Sequence, residues 1–131
     1  MIGLDTNVLV RYLTQDHQEQ ASKATRLIEM HCTREEPGFI SLVVLCELVW
    51  VLRGAYGYEK KLVVEVLEQI VSTRDLRIEA EQIARSALSA YRSGPADFAD
   101  YVIVFSNRAQ GCEATHSFDQ TLAKTNWVRV P

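Results

Sequence analysis

The sequence predicts an α/β fold, a mostly parallel five-stranded sheet flanked by helices, and two observations predict it. Five short strand-like runs alternate with longer segments whose apolar residues recur every three or four positions, the period of a helix. Strands joined through helical crossovers run parallel, and the helices then cover both faces of the sheet. Size and composition agree: 131 residues, 47% hydrophobic and 24% charged, suit a single domain over residues 1–131. A chain of that length buries about two-thirds of the surface its unfolded form exposes.

The elements follow in order. Ile2-Gly-Leu reads as a short strand ending at Asp5, and Thr6 or Asn7 can cap a helix through Leu13. Asp16-His-Gln-Glu has the capping-box spacing, with Asp16 in the capping position, and Ala21, Ala24, Leu27, Ile28 and His31 share the next helical face. Pro37-Gly38 ends that stretch. Phe39-Ile40 is the second strand, and Ser41 caps a helix with Leu42, Leu45, Val49 and Leu52 as its buried stripe. A helix over residues 58–72 buries Leu62, Val63, Val66, Leu67 and Ile70, and Leu76-Arg-Ile makes the third strand. The next helix carries Ala80, Ile83, Ala84, Ala87, Leu88 and Tyr91, until Gly94-Pro95 breaks it. Phe98, Val102, Phe105 and Ala109 mark the last helix, which stops at Gly111. Ala114-Thr-His is the fourth strand and Val128-Arg-Val the fifth.

Five carboxylates, Asp5, Glu47, Asp97, Asp100 and Asp119, carry the chemistry. Glu47 is the only charge between Glu36 and Arg53, and Asp5 the only one in residues 1–10. Burying an isolated carboxylate is costly unless a partner or a metal holds it, so a shared cation is the expectation for these two. In parallel α/β sheets the site lies beyond the carboxyl ends of the strands, where Asp5 and Asp119 fall, while Glu47, Asp97 and Asp100 begin neighbouring helices. Acids gathered there require divalent cations, and an oxygen-only donor set points to Mg²⁺, with Mn²⁺ as substitute, rather than zinc. Phosphodiester hydrolysis suits such a site: the cation lowers the pKa of an attacking water and stabilises the leaving oxygen. Asp97 and Asp100 are also three apart in a first turn, where the helix dipole alone favours acids, so Asp97 is either a ligand or a helix cap.

At this point Leu4-Asp-Thr-Asn-Val-Leu, the Ser-Leu-Val-Val-Leu-Cys-Glu-Leu around Glu47, Asp97-Phe-Ala-Asp-Tyr-Val-Ile and Thr115-His-Ser-Phe-Asp-Gln-Thr-Leu-Ala resemble the four acidic motifs of PIN domains. Their order and spacing are most similar to the bacterial VapC-type toxins, over nearly the whole chain. The resemblance implies a three-layer PIN-like fold and a metal-dependent endoribonuclease that cuts structured RNA, often transfer or ribosomal RNA. It also implies a cognate VapB-type antitoxin and a homodimer. By residue it implies Asp5, Glu47 and Asp100 as principal ligands of Mg²⁺, Asp119 as the fourth acid, and Asp97 as a more variable one. Thr6, Asn7 and Thr115 match polar residues that orient the carboxylates. His116 and Ser117 extend the last motif where many relatives read Thr-Phe-Asp directly.

Composition narrows the alternatives. A formal charge of −3 argues against a nucleic-acid partner, but of seventeen acids less these five, twelve remain against fourteen Lys and Arg. The longest uncharged run, residues 37–46, is too short to span a bilayer, so a cytoplasmic location without membrane contact is expected. Three cysteines, odd in number and without C-x-x-C spacing, argue against a disulfide framework and a zinc knot. Cys46 reads as a buried small side chain, Trp50 and Trp127 as packing residues, and His17, His31 and His116 as solvated or packing residues. Arg11, Arg53, Lys60, Lys61, Arg92 and Arg108 are candidates for phosphate contact as well as solvated charges. Other functions compatible with the pattern are a catalytically silent RNA- or protein-binding module and a PIN nuclease in RNA processing. A phosphoryl-accepting receiver is rejected, because Arg53-Gly-Ala-Tyr-Gly stands where its acceptor Asp belongs.

Overall fold

A computed structural model describes residues 1–131, and the backbone packs into two compact units, Met1–Glu81 and Gln82–Pro131. The first unit holds a three-stranded parallel sheet in the order β1 (Ile2–Gly3), β2 (Gly38–Ile40), β3 (Leu76–Ile78). Each crossover is a pair of helices: α1 (Thr6–Thr14) and α2 (Gln18–Arg26) before β2, then α3 (Leu42–Gly54) and α4 (Lys60–Ser72) before β3. Ile40, Leu45, Leu48, Leu52 and Val63 are fully buried and form its centre.

Central position in the sheet explains Gly38. A Cβ there would press on Cys32 Sγ and on a methyl of Leu4, so any larger residue requires those side chains to move aside. The start of α3 is capped twice, by Ser41 Oγ accepting from Val44 N at 3.2 Å and by Glu79 Oε1 accepting from Leu42 N at 2.8 Å. At α4 the expected stripe is rotated: Val63, Val64, Leu67, Ile70 and Val71 are buried, while Leu62 is exposed.

Asp16 does not cap α2. His17 holds the cap position, its Nδ1 accepting from Gln20 N at 3.2 Å, because the Asp16 carboxylate is engaged elsewhere. Asp16 Oδ2 accepts from the Tyr56 hydroxyl at 2.6 Å, and Oδ1 accepts from Thr14 at 2.8 Å and from Arg11 at 3.1 Å. The α2 helix then widens into a π-helical turn, Leu27–His31, which leaves His31 exposed rather than on the buried face.

The second unit contains α5 (Glu81–Ser93, its first residue counted in the first unit), α6 (Phe98–Ala109) and a parallel pair, β4 (Thr115–His116) with β5 (Val128–Arg129). Tyr91 meets Phe98 edge to face at 6.0 Å between centroids, joining α5 to α6. Gly94 is required where the chain turns between them: a Cβ would run into the Tyr101 hydroxyl and the Ala90 carbonyl. The Tyr101 hydroxyl in turn accepts from Ala96 N at 3.2 Å.

The α/β class and the parallel pairing stand, but the five-stranded sheet does not form as one ladder: three strands pair in one sheet and two in another. Strands of two or three residues have few ladder bonds to offer. Those of β4 and its extension go to β5 and its neighbour, with Thr115 N donating to Trp127 O and Ser117 N to Arg129 O. No helix is long and apolar enough to cross a membrane.

Candidate functional site

In Met1–Glu81 the parallel strands put Asp5 and the start of α3 beyond the carboxyl ends of two neighbouring strands, β1 and β2. Asp5 is the residue before α1, with extended backbone, and its carbonyl accepts from Val8 N at 3.1 Å. Its carboxylate makes no capping hydrogen bond, so the helix end does not occupy it. One residue on, the buried Thr6 donates its hydroxyl hydrogen to Glu47 Oε1 at 2.8 Å, tying α1 to the second turn of α3. The expectation that Asp5 and Glu47 are charges buried in apolar surroundings is corrected: both residues are exposed. Glu47 shares the exposed stripe of α3 with Val43 and Trp50, so an apolar run of sequence wraps a helix whose outer face reaches solvent. Asn7 is exposed at the first turn of α1 and lines a cleft of about 260 Å³ with Arg11, Gln20 and Lys23.

In Gln82–Pro131 Asp97 stands at the residue before α6, and Asp100 Oδ2 accepts from Asp97 N at 3.2 Å. Asp100 thus satisfies a free donor of the helix end while half-buried. Burial raises its pKa above the ordinary carboxylate value, the bond from the Asp97 backbone opposes that, and the charges of Asp97 and Asp119 raise it further. Asp119 Oδ1 accepts from Thr121 N at 2.9 Å and from Leu122 N at 3.1 Å, so it also stabilises the turn after β4. Thr115 Oγ1 accepts from the Asn107 amide at 2.9 Å. Asn107, on the last full turn of α6, escaped the sequence reading: eight residues separate it from Thr115, and no motif marks the pair.

The structure therefore joins Thr6 to Glu47 in one unit, and Asp97, Asp100 and Asp119 through contact and charge in the other. No group of three or more His, Cys, Asp or Glu is arranged to hold a metal ion. The donors are carboxylates and hydroxyls, the set suited to Mg²⁺ or Mn²⁺, and Asp100 is a carboxylate whose ionisation a cation would favour. Burial pushes the Cys46 thiol up to about 11, which leaves it protonated and a poor nucleophile beside Glu47.

The chain is similar to a VapC ribonuclease of Aquifex aeolicus (strain VF5), 25% identical over 127 residues that make up 97% of this chain and 93% of that relative. The PIN domain family model matches residues 2–128, running through both compact units and all five acids. The chain belongs to the PIN domain family.

Proposed function

We propose that this chain is a Mg²⁺-dependent endoribonuclease, the toxin of a VapBC-type pair, folded as one catalytic domain over residues 1–131. The observation that carries the proposal is the Thr6 bond to Glu47 beside an Asp5 that no helix cap engages, in a chain of the PIN family. Asp5, Glu47, Asp100 and Asp119 act as the catalytic carboxylates, with Asp97 as a further ligand. Mg²⁺, with Mn²⁺ as a substitute, supplies positive charge that eases loss of a proton from water and stabilises the departing oxygen. The Thr6 hydroxyl fixes which oxygen of Glu47 remains outward. Asn107 does the same for Thr115, whose hydroxyl keeps its hydrogen to donate. Asn7, at the first turn of α1, orients substrate or carboxylate from the same helix end.

In the reaction water oxygen bonds to phosphorus, the bond from phosphorus to the 3′ oxygen breaks, and that oxygen takes up a proton. The products carry 5′-phosphate and 3′-hydroxyl ends. The substrate is RNA, with transfer or ribosomal RNA as the class of target. A VapB-type antitoxin restrains the enzyme by placing Arg or Lys against its carboxylates. The protein works in the cytoplasm as a homodimer. Purified protein free of antitoxin is expected to cleave RNA with Mg²⁺ or Mn²⁺, to stop when the ion is chelated, and to lose activity in Asp5→Asn. Equal cleavage by wild type and Asp5→Asn sinks the proposal, and RNA binding without cleavage favours a silent binding module.

A further inference from the structure

We propose that Trp127 and Arg108 form a stacking platform for an unpaired base of RNA, a binding site within Gln82–Pro131 that rests on the nuclease reading only for its ligand class. The Trp127 ring is held rather than loose. The Arg108 guanidinium carbon lies 4.4 Å from the ring centroid, and Phe105 meets the indole edge to face at 6.1 Å. Even so, 42% of the residue is exposed, which is not what packing alone asks of a tryptophan.

The backbone points the same way. Trp127 has φ of 67°, a left-handed conformation that bulky residues rarely adopt, while its carbonyl accepts from Thr115 N at 2.7 Å. The chain thus takes a costly turn immediately before β5 and leaves the residue partly exposed.

Five of the fourteen Lys and Arg lie in this unit, namely Arg85, Arg92, Arg108, Lys124 and Arg129. Of its four acids, Asp97, Asp100 and Asp119 are the candidate site residues, so Glu113 is the one that remains, and it pairs with Arg129 at 3.4 Å. With all four acids counted the unit is close to neutral, so the stacked cation rather than a basic field selects the occupant. A planar cation–aromatic pair matches single-stranded RNA, whose bases stack on indole or guanidinium planes while Arg108 reaches a phosphate. A paired base is already stacked within its helix, so the site selects unpaired nucleotides.

The test uses the full chain carrying Trp50→Phe, which leaves Trp127 as the sole indole, titrated with oligouridylate in chelator. Binding is expected to change Trp127 emission. Trp127→Leu should weaken binding about tenfold and Trp127→Phe by less than about threefold, since a smaller ring still stacks. Trp127→Leu should leave the slope of log K against log salt unchanged, whereas Arg108→Gln should reduce it by about 0.7, one phosphate contact. Circular dichroism checks that each variant is folded, and the emission change in the Trp50→Phe protein decides the matter if Trp127→Leu is not. Unchanged emission at saturating RNA, or equal binding by the Leu and Phe variants, overturns the platform, as does an absence of RNA binding by wild type. Emission change without any Mg²⁺-dependent cleavage would sink the nuclease reading and leave the platform standing.

Discussion

In Met1–Glu81 the candidate carboxylate Glu47 is exposed and held by the Thr6 hydroxyl, whereas in Gln82–Pro131 Asp100 is half-buried and pressed by two neighbouring acids. The surroundings differ in the same sense. With Asp5 and Glu47 set aside, the first unit has eleven acids against nine Lys and Arg, and the second, without its three site acids, has one against five. The contrast teaches two ways of keeping a carboxylate: one unit holds an exposed acid in place by a hydroxyl, and the other keeps a half-buried acid among like charges at an electrostatic cost.

The largest expected effect tests that contrast directly. Glu47→Gln and Asp100→Asn should both abolish cleavage, but only Asp100→Asn should raise the melting temperature in chelator. Ionised Asp100 is the disfavoured form in the fold, and Asn removes that charge while keeping an oxygen to accept from Asp97 N. Gln at position 47 keeps an acceptor for Thr6, so its melting temperature should stay with wild type. A gel assay paired with thermal melts checks both, and a higher melting temperature for Glu47→Gln alone would invert the comparison.

Two glycines sharpen it next. A Cβ at Gly38 meets the ends of side chains that can shift, Cys32 Sγ and a Leu4 methyl, but at Gly94 it meets the Ala90 backbone carbonyl and the Tyr101 hydroxyl. Gly94→Ala should cost about 1–3 kcal/mol, and Gly38→Ala less, in urea unfolding. Because Tyr101 follows Asp100, the Gly94 variant should also lose activity; the Gly38 variant should keep it.

Smaller still are the two hydroxyl bonds. Thr6→Val leaves Glu47 without its donor, and Asn107→Leu does the same to Thr115. Each should lower kcat by about 10–100-fold with little change in melting temperature, as loss of an orienting partner does. A loss confined to Thr6→Val would mean that Asn107 serves only the fold.

Helical stripes and strand-like runs were legible because period and capping are local: Ser41 caps α3 as read, and the strands begin and end within a residue or two of expectation. What the sequence hid was non-local. The Asp16 spacing matches a capping box, yet Tyr56, forty residues away, takes the carboxylate, and no short-range pattern could announce that. Glu47 looked buried because its neighbours are apolar, but a helix of thirteen residues with apolar side chains all round must show some of them to solvent, here Val43 and Trp50. Of the candidate site, the five acids came from charges that interrupt apolar runs and motifs, whereas the Asn107 bond to Thr115 had no signal, since it depends on a strand eight residues later folding back on α6.

The smallest effect concerns acids that titrate in opposite directions in the two units. Hydrogen bonds from Tyr56 and then Thr14, with Arg11 adding both a bond and its charge, hold Asp16 down at about 2, while Asp100 is raised. A depressed value in the fold means that the unfolded chain binds the proton first. Asp16 therefore contributes stability above the ordinary carboxylate range near 4, and that contribution fades as pH falls toward about 2. For Asp100 the sign reverses: the fold binds the proton first, so acid relieves its cost. Asp16→Asn should lower the melting temperature slightly at about pH 6 and converge with wild type near pH 2, because Asp16 is exposed and water weakens the network. Carboxyl NMR titration reads both groups at once, and an Asp16 that titrates near 4 would show that the Tyr56 bond does not hold in solution.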